Sequence, residues 1–83
     1  MIIRIHPHAQ DRMPERGVTE EEITSTVENG ESFPAKLNRL GFRKNFPYES
    51  LWNGKFYHFK QVEVIAVEEN NAILVLTVIS KYY

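Results

Sequence analysis

The hydrophobic period of the chain changes once, near residue 40, and this restricts the fold more than any other feature. Beyond that point, period two takes over. Phe42, Lys44, Phe46 and Tyr48 share one side of an alternating run, which predicts a strand, with Pro47 making it an edge or ending it. Trp52-Asn53-Gly54-Lys55 is a hairpin signal, because Asn-Gly suits a type I′ turn. Phe56 to Glu68 is β-branched and aromatic but long for one strand, so a bend or bulge is expected near Lys60-Gln61. Asn70-Asn71 turns the chain again. Ala72 to Ile79 (AILVLTVI) is apolar almost throughout, with Thr77 its one polar interior residue, and reads as a central strand covered on both faces.

Before residue 40 the signals are helical. Pro7 suits a first helical turn, so a helix starts there. Pro14 removes the bond to the Gln10 carbonyl, which predicts an end near Met13 or a kink. Gly17 offers a left-handed C-terminal residue. Thr19 and Glu22 form a capping box, and Val18 and Ile23 have the spacing of a hydrophobic staple. Ile23 and Val27 make the buried stripe, Glu20 and Glu21 suit the positive end of the helix dipole, and Asn29-Gly30 ends the helix. Met1 to Ile5 is a brief strand or a lead-in, and Glu31 to Gly41 a polar connection. Helices followed by an antiparallel sheet predict one α+β domain over residues 1–83, helical over about 7–30 and sheet over about 40–82, with the helices on one face.

At 83 residues such a domain buries a thin core, and the ten aromatic residues are enough to build it. There is no cysteine, hence no disulfide and no thiolate metal site, as expected in a reducing cytoplasm. No apolar run is long enough to span a membrane, and MIIRIHPH is too interrupted for a signal peptide. The chain reads as soluble, cytoplasmic and without a cofactor. Net charge is −1, but it is unevenly spread: Thr19–Pro34 carries −5 and Ala35–Lys60 carries +5. That asymmetry can leave a basic patch on a nearly neutral protein.

His8, Arg12 and Arg16 stand four residues apart and would form a column on a helix. Guanidinium forks suit phosphate oxygens, and imidazole exchanges protons near neutrality. Two phosphate anchors and a proton carrier are the parts needed to cleave RNA without a metal. The plainer alternative is a solvated face on which Asp11 and Glu15 pair with the arginines. His6-x-His8 would need His58 or Asp11 to bind a metal, and otherwise His6 caps the helix; no metal site is assigned. Arg39, Arg43 and Lys44 lie among aromatics and are candidate RNA contacts. Thr77 could aim a hydroxyl into a site, and Tyr82 or Tyr83 could supply a phenol, the alternative being aromatic packing at a terminus.

The His-x-x-x-Arg-x-x-x-Arg-Gly segment (His8 to Gly17) is followed by Val18, the Thr19 cap and the E-E-I helix, then by V-E-V-I-A-V-E (Val62 to Glu68) and Leu76-Thr77-Val78. Over about Ile5 to Tyr82 this resembles the domain-of-unknown-function family numbered 4258, found in bacteria and phages. The family is similar to the superfamily of barnase, EndoU and RelE-type folds. The resemblance implies two N-terminal helices packed on one face of a four-stranded antiparallel sheet. It also implies a small metal-independent ribonuclease-like domain, an endoribonuclease toxin with RNA as target and a cognate antitoxin protein as partner. His8, Arg12 and Arg16 would form the site, with Thr77 and Tyr82 completing it. The alternative is a non-catalytic RNA- or protein-binding module of the same fold.

Overall fold

The computed structural model describes residues 2–83. In chain order it has strand β1 (Ile2–Ile5), helices α1 (Pro7–Arg16) and α2 (Glu20–Asn29), then β2 (Glu31–Pro34), β3 (Leu40–Trp52), β4 (Lys55–Glu69) and β5 (Ala72–Tyr82). The strands form one sheet in the order β1-β5-β4-β3-β2. Both helices pack on one face of it, α1 against β5 and α2 against β3 and β4.

The sheet therefore has five strands and is mixed, correcting the four-stranded antiparallel sheet expected above; the domain remains α+β. Ile2–Ile5 runs parallel to Ala72–Val75. The chain between them is long enough for the crossover that a parallel pair requires. Glu31–Pro34, read as a connection, pairs antiparallel with Leu40–Arg43. A four-residue strand containing Glu, Ser and Pro has no period to detect, and only its neighbour makes it a strand.

The helices follow their local signals. The Thr19 hydroxyl accepts the Glu22 N–H, and the Glu22 carboxylate accepts the Thr19 N–H, the reciprocal pair of a capping box. Helix α1 continues through Pro14 to Arg16 instead of stopping at Met13. Pro14 sits in the last turn, and the one acceptor it leaves unpaired, the Gln10 carbonyl, belongs to an exposed residue. Gly17 takes the left-handed conformation (φ 65°). Its N–H donates to Pro14 O and that of Val18 to Met13 O, which together make a Schellman motif.

Asn53-Gly54 and Asn70-Asn71 each have two successive positive φ values, as type I′ hairpins require. Strand β4 is continuous over fifteen residues, and its irregularities sit close to the expected place. The N–H groups of His58 and Phe59 both donate to the Tyr83 carbonyl, a bulge two residues before the Lys60-Gln61 step. On the other side, Tyr48 and Glu49 of β3 together oppose His58. Pro47 does not end β3; past Arg43 the outer side of β3 has no strand partner, so the missing N–H there breaks no ladder.

Val62, Val64 and Ala66 of β4 and Ile73, Val75 and Val78 of β5 face Ala9, Ile23 and Val27 of the helices. The opposite face of the sheet is covered by no helix, which corrects the expectation for Ala72–Ile79. Strand β5 lies between two neighbours, but Leu74, Leu76 and Thr77 are only half-buried, and Ile79 is 42% exposed. Among the described residues no helix is long and apolar enough to cross a membrane. The molecule is elongated, with extents of 41 × 24 × 22 Å.

Candidate functional site

The residues read from the sequence divide into two groups. His8, Arg39 and Thr77 come together, with His6 and Leu76, around an open cleft of about 360 Å³. Arg12, Arg16, Tyr82, Arg43 and Lys44 are engaged elsewhere.

The cleft is assembled where β1 passes into α1 beside β5. The His6 N–H donates to Val75 O, extending the parallel pairing by one residue and delivering the helix start to the edge of the sheet. His6 is the N-cap of α1, its Nδ1 accepting the His8 N–H at 3.0 Å. A nitrogen that accepts carries no hydrogen, so the neutral His6 ring holds its proton on Nε2 and presents an N–H donor. His8 lies in the first helical turn, at the positive end of the helix dipole, which favours an anion. Leu76 is the extra residue of a bulge, since Ile65 pairs with Thr77 and Ala66 with Val75. Arg39 arrives on a tight loop closed by Ala35 N–H donating to Arg39 O at 2.9 Å. Within it Leu37 and Asn38 are both left-handed (φ 62° and 60°), a conformation that costs a leucine about 1 kcal/mol or more. Arg39 also lines the neighbouring hollow of Phe33, Pro34, Ala35, Lys36 and Ile65.

The column His8–Arg12–Arg16 is divided: His8 lines the cleft, and the two arginines each bind elsewhere. Arg12 pairs with Glu15 at 3.0 Å, the i,i+3 ion pair offered as the plain alternative. Arg16 donates to the Val78 carbonyl on the outer edge of β5. Arg43 pairs with Glu63 at 3.0 Å and Glu31 at 3.6 Å and lies over the Phe33 ring. Lys44 donates to Ser25 Oγ and lies near the Phe46 ring.

Tyr82 belongs to a cluster at the other end of the sheet. Its hydroxyl donates to Arg16 O at 2.8 Å, its ring stacks on Trp52 (4.8 Å, 13°), and Tyr48 meets it edge-on. Burial is the main cause that pushes its phenol up to about 12, with Tyr48 and Glu22 adding to the rise and Ser80 opposing it. Beneath it lies Lys60, 3% exposed, paired with Glu22 at 2.7 Å, donating to Gly17 O, with the Tyr48 and Tyr82 rings 5.7 and 5.8 Å away. Nothing local in the sequence marks Lys60 as buried, because its partners lie about 40 residues upstream.

Of the metal candidates, His58 pairs with Glu49 at 3.0 Å on the hairpin end of the sheet. Among the described residues no group of three His, Asp or Glu side chains converges.

No curated protein and no solved structure matches the chain. A family model described as Domain of unknown function (DUF4258) matches residues 5–80, a span that contains every residue of the cleft, and the chain belongs to that family.

Proposed function

We propose that the protein is a small metal-independent endoribonuclease whose site is the His6–His8–Arg39–Thr77 cleft. The observation that carries this reading is the convergence of two imidazoles, one guanidinium and one hydroxyl from three separate segments on a single cleft. Cleavage of RNA by its own 2′-hydroxyl needs a base, an acid and a cation. His8 takes the 2′-OH proton as the 2′-oxygen bonds to phosphorus. The bond to the 5′-oxygen breaks as His8, now protonated, returns that proton to the leaving 5′-oxygen. The Arg39 fork and the His6 Nε2–H donor hold the charge that builds on the phosphorane oxygens, and the Thr77 hydroxyl donates to the same group. In this reading Arg39 serves as the phosphate anchor, because it lines the cleft while Arg12 and Arg16 bind Glu15 and Val78 O outside it. The likeness to barnase, EndoU and RelE-type folds supports the reaction class by analogy. As a toxin, the protein would be silenced by an antitoxin covering this cleft.

A mixed RNA pool incubated with the protein in chelator tests the reading, beside His8→Ala and Arg39→Ala. Fragments with cyclic-phosphate or 3′-phosphate ends from the parent, reduced at least tenfold in both variants, are expected. Intact RNA with the parent, or equal cleavage by the variants, would overturn it.

A further inference from the structure

We propose that the uncovered face of the sheet is a track for single-stranded RNA, running along β5 from the cleft to an aromatic platform at the hairpin end. The proposal rests on the ribonuclease reading and names the form of its substrate.

The platform is the first observation. Phe56, Phe59 and Tyr83 are 49%, 46% and 47% exposed, in a domain whose core is too thin to leave aromatic surface unused without effect. Phe59 and Tyr83 stack at 5.5 Å, and Phe56 stands edge-on to His58 at 5.3 Å. The bulge at His58-Phe59 shifts the alternation of β4 by one, which turns Phe56 to the same side as Phe59. Flat exposed rings on an antiparallel sheet accept any unpaired base by stacking.

The second observation is the polar rim. The Tyr83 hydroxyl and the Gln61 amide both donate to Asn45 Oδ1, at 2.9 and 3.1 Å. The Asn45 amide N–H groups and Gln61 Oε1 are left to meet base edges.

The third is charge. Arg4 and Lys81 alternate with the core-facing residues of β1 and β5 and so lie on the uncovered face, and Arg39 reaches it through the cleft. Among the described residues none of the three has a carboxylate within ion-pair distance. The unpaired Glu20, Glu21 and Glu28 sit instead on α2, in the layer behind the sheet. Glu31 and Glu63 share the uncovered face but are held by Arg43, and Glu69 stands at the far β4–β5 turn, so the aromatic side is marked by its three free cations and the helical side by its free carboxylates. This complementarity to a polyanion favours RNA over an apolar protein partner. Thr77 on β5 and Tyr83, which follows its last residue, are six residues apart, roughly 20 Å, so cleft and platform can hold one strand together.

Fluorescein-labelled ten-nucleotide oligouridine, titrated at low salt against the full chain in a His8→Ala background, tests the track. Phe59→Ala and Tyr83→Ala should each weaken binding by roughly fivefold to a hundredfold. Phe59→Trp should retain binding, which separates stacking from misfolding. Lys81→Ala should flatten the salt dependence by about one phosphate contact. A duplex of the same length should bind less tightly than the single strand. Unchanged affinity in the ring variants, while cleavage by the parent still depends on His8, would overturn the track and leave the ribonuclease reading standing. Ring variants that alter only the oligomeric state would also overturn it, in favour of a protein interface. Neither binding nor cleavage by the parent would remove both.

Discussion

Gly17 meets two demands at once. It is left-handed, and a Cβ there would come within 2.5 Å of Trp52 Cζ3 and of the Tyr82 hydroxyl. Gly17→Ala should therefore cost at least ~2 kcal/mol, part backbone and part displacement of the indole, read as a lowered urea midpoint with altered Trp52 fluorescence. Around it the Arg16-Gly17 step acts as a junction. Arg16 O accepts from Ser80 and Tyr82, Gly17 O accepts from Lys60, and the Arg16 side chain binds Val78 O. This gives Arg16 and Gly17 a structural reason that the spacing of His8, Arg12 and Arg16 did not suggest. Helical spacing reports which residues share a face, and it is silent on what a side chain at the last turn meets on a strand 62 residues away. Lys60 carries the same lesson. Lys60→Met leaves Glu22 without its cation, although Thr19 N–H still bonds it, and the expected loss is about 3 kcal/mol. Adding Glu22→Gln removes the stranded charge and should recover part of that loss in the same denaturation measurement.

At the scale of elements, what was legible was what is decided locally. The capping box, the Gly17 cap and the Asn53-Gly54 turn each depend on fewer than five consecutive residues, and each is present. Thr19→Ala should cost about 1 kcal/mol, measured as a shift in the thermal unfolding midpoint, because it removes one half of a reciprocal pair. What was not legible depends on neighbours. Ile2–Ile5 reads as a brief strand or a lead-in, and the unpaired edge of Ala72–Val75 decides for the strand; Glu31–Pro34, read as a connection, is a strand because Leu40–Arg43 offers it an edge. The same reason governs the cleft. Thr77 stood out as the lone polar residue of an apolar run, and His8 as an imidazole in a first turn. That Arg39, not Arg12 or Arg16, joins them follows from the closed Ala35–Arg39 loop, whose left-handed Leu37 no propensity foretells.

Across the whole molecule, one cluster fastens parts of the chain that the core does not reach. Tyr82 joins the end of β5 to the carboxyl end of α1 through Arg16 O, and to the hairpin through Trp52 and Tyr48. The elongated sheet leaves that end with few buried aliphatic residues, so the clasp bears on global stability and not only on a local contact. Its pH dependence follows from the raised phenol. The ordinary phenol value is 10.0 and the folded one about 12, so the unfolded chain releases this proton first. The stabilisation is complete below pH 10 and is lost as pH rises from about 10 to about 12. Tyr82→Phe removes the titrating group and one hydrogen bond, while Ser80 continues to donate to the same carbonyl. The variant should be about 1 kcal/mol less stable than the parent at pH 8. The gap should narrow as pH is raised through 10 to 12, because only the parent has this proton to lose. Urea denaturation of both proteins at intervals across that range measures the gap directly. A gap that stays constant or widens with pH would mean that the Tyr82 phenol is not held protonated by the fold, and that its ring alone fastens the hairpin end to the body of the protein.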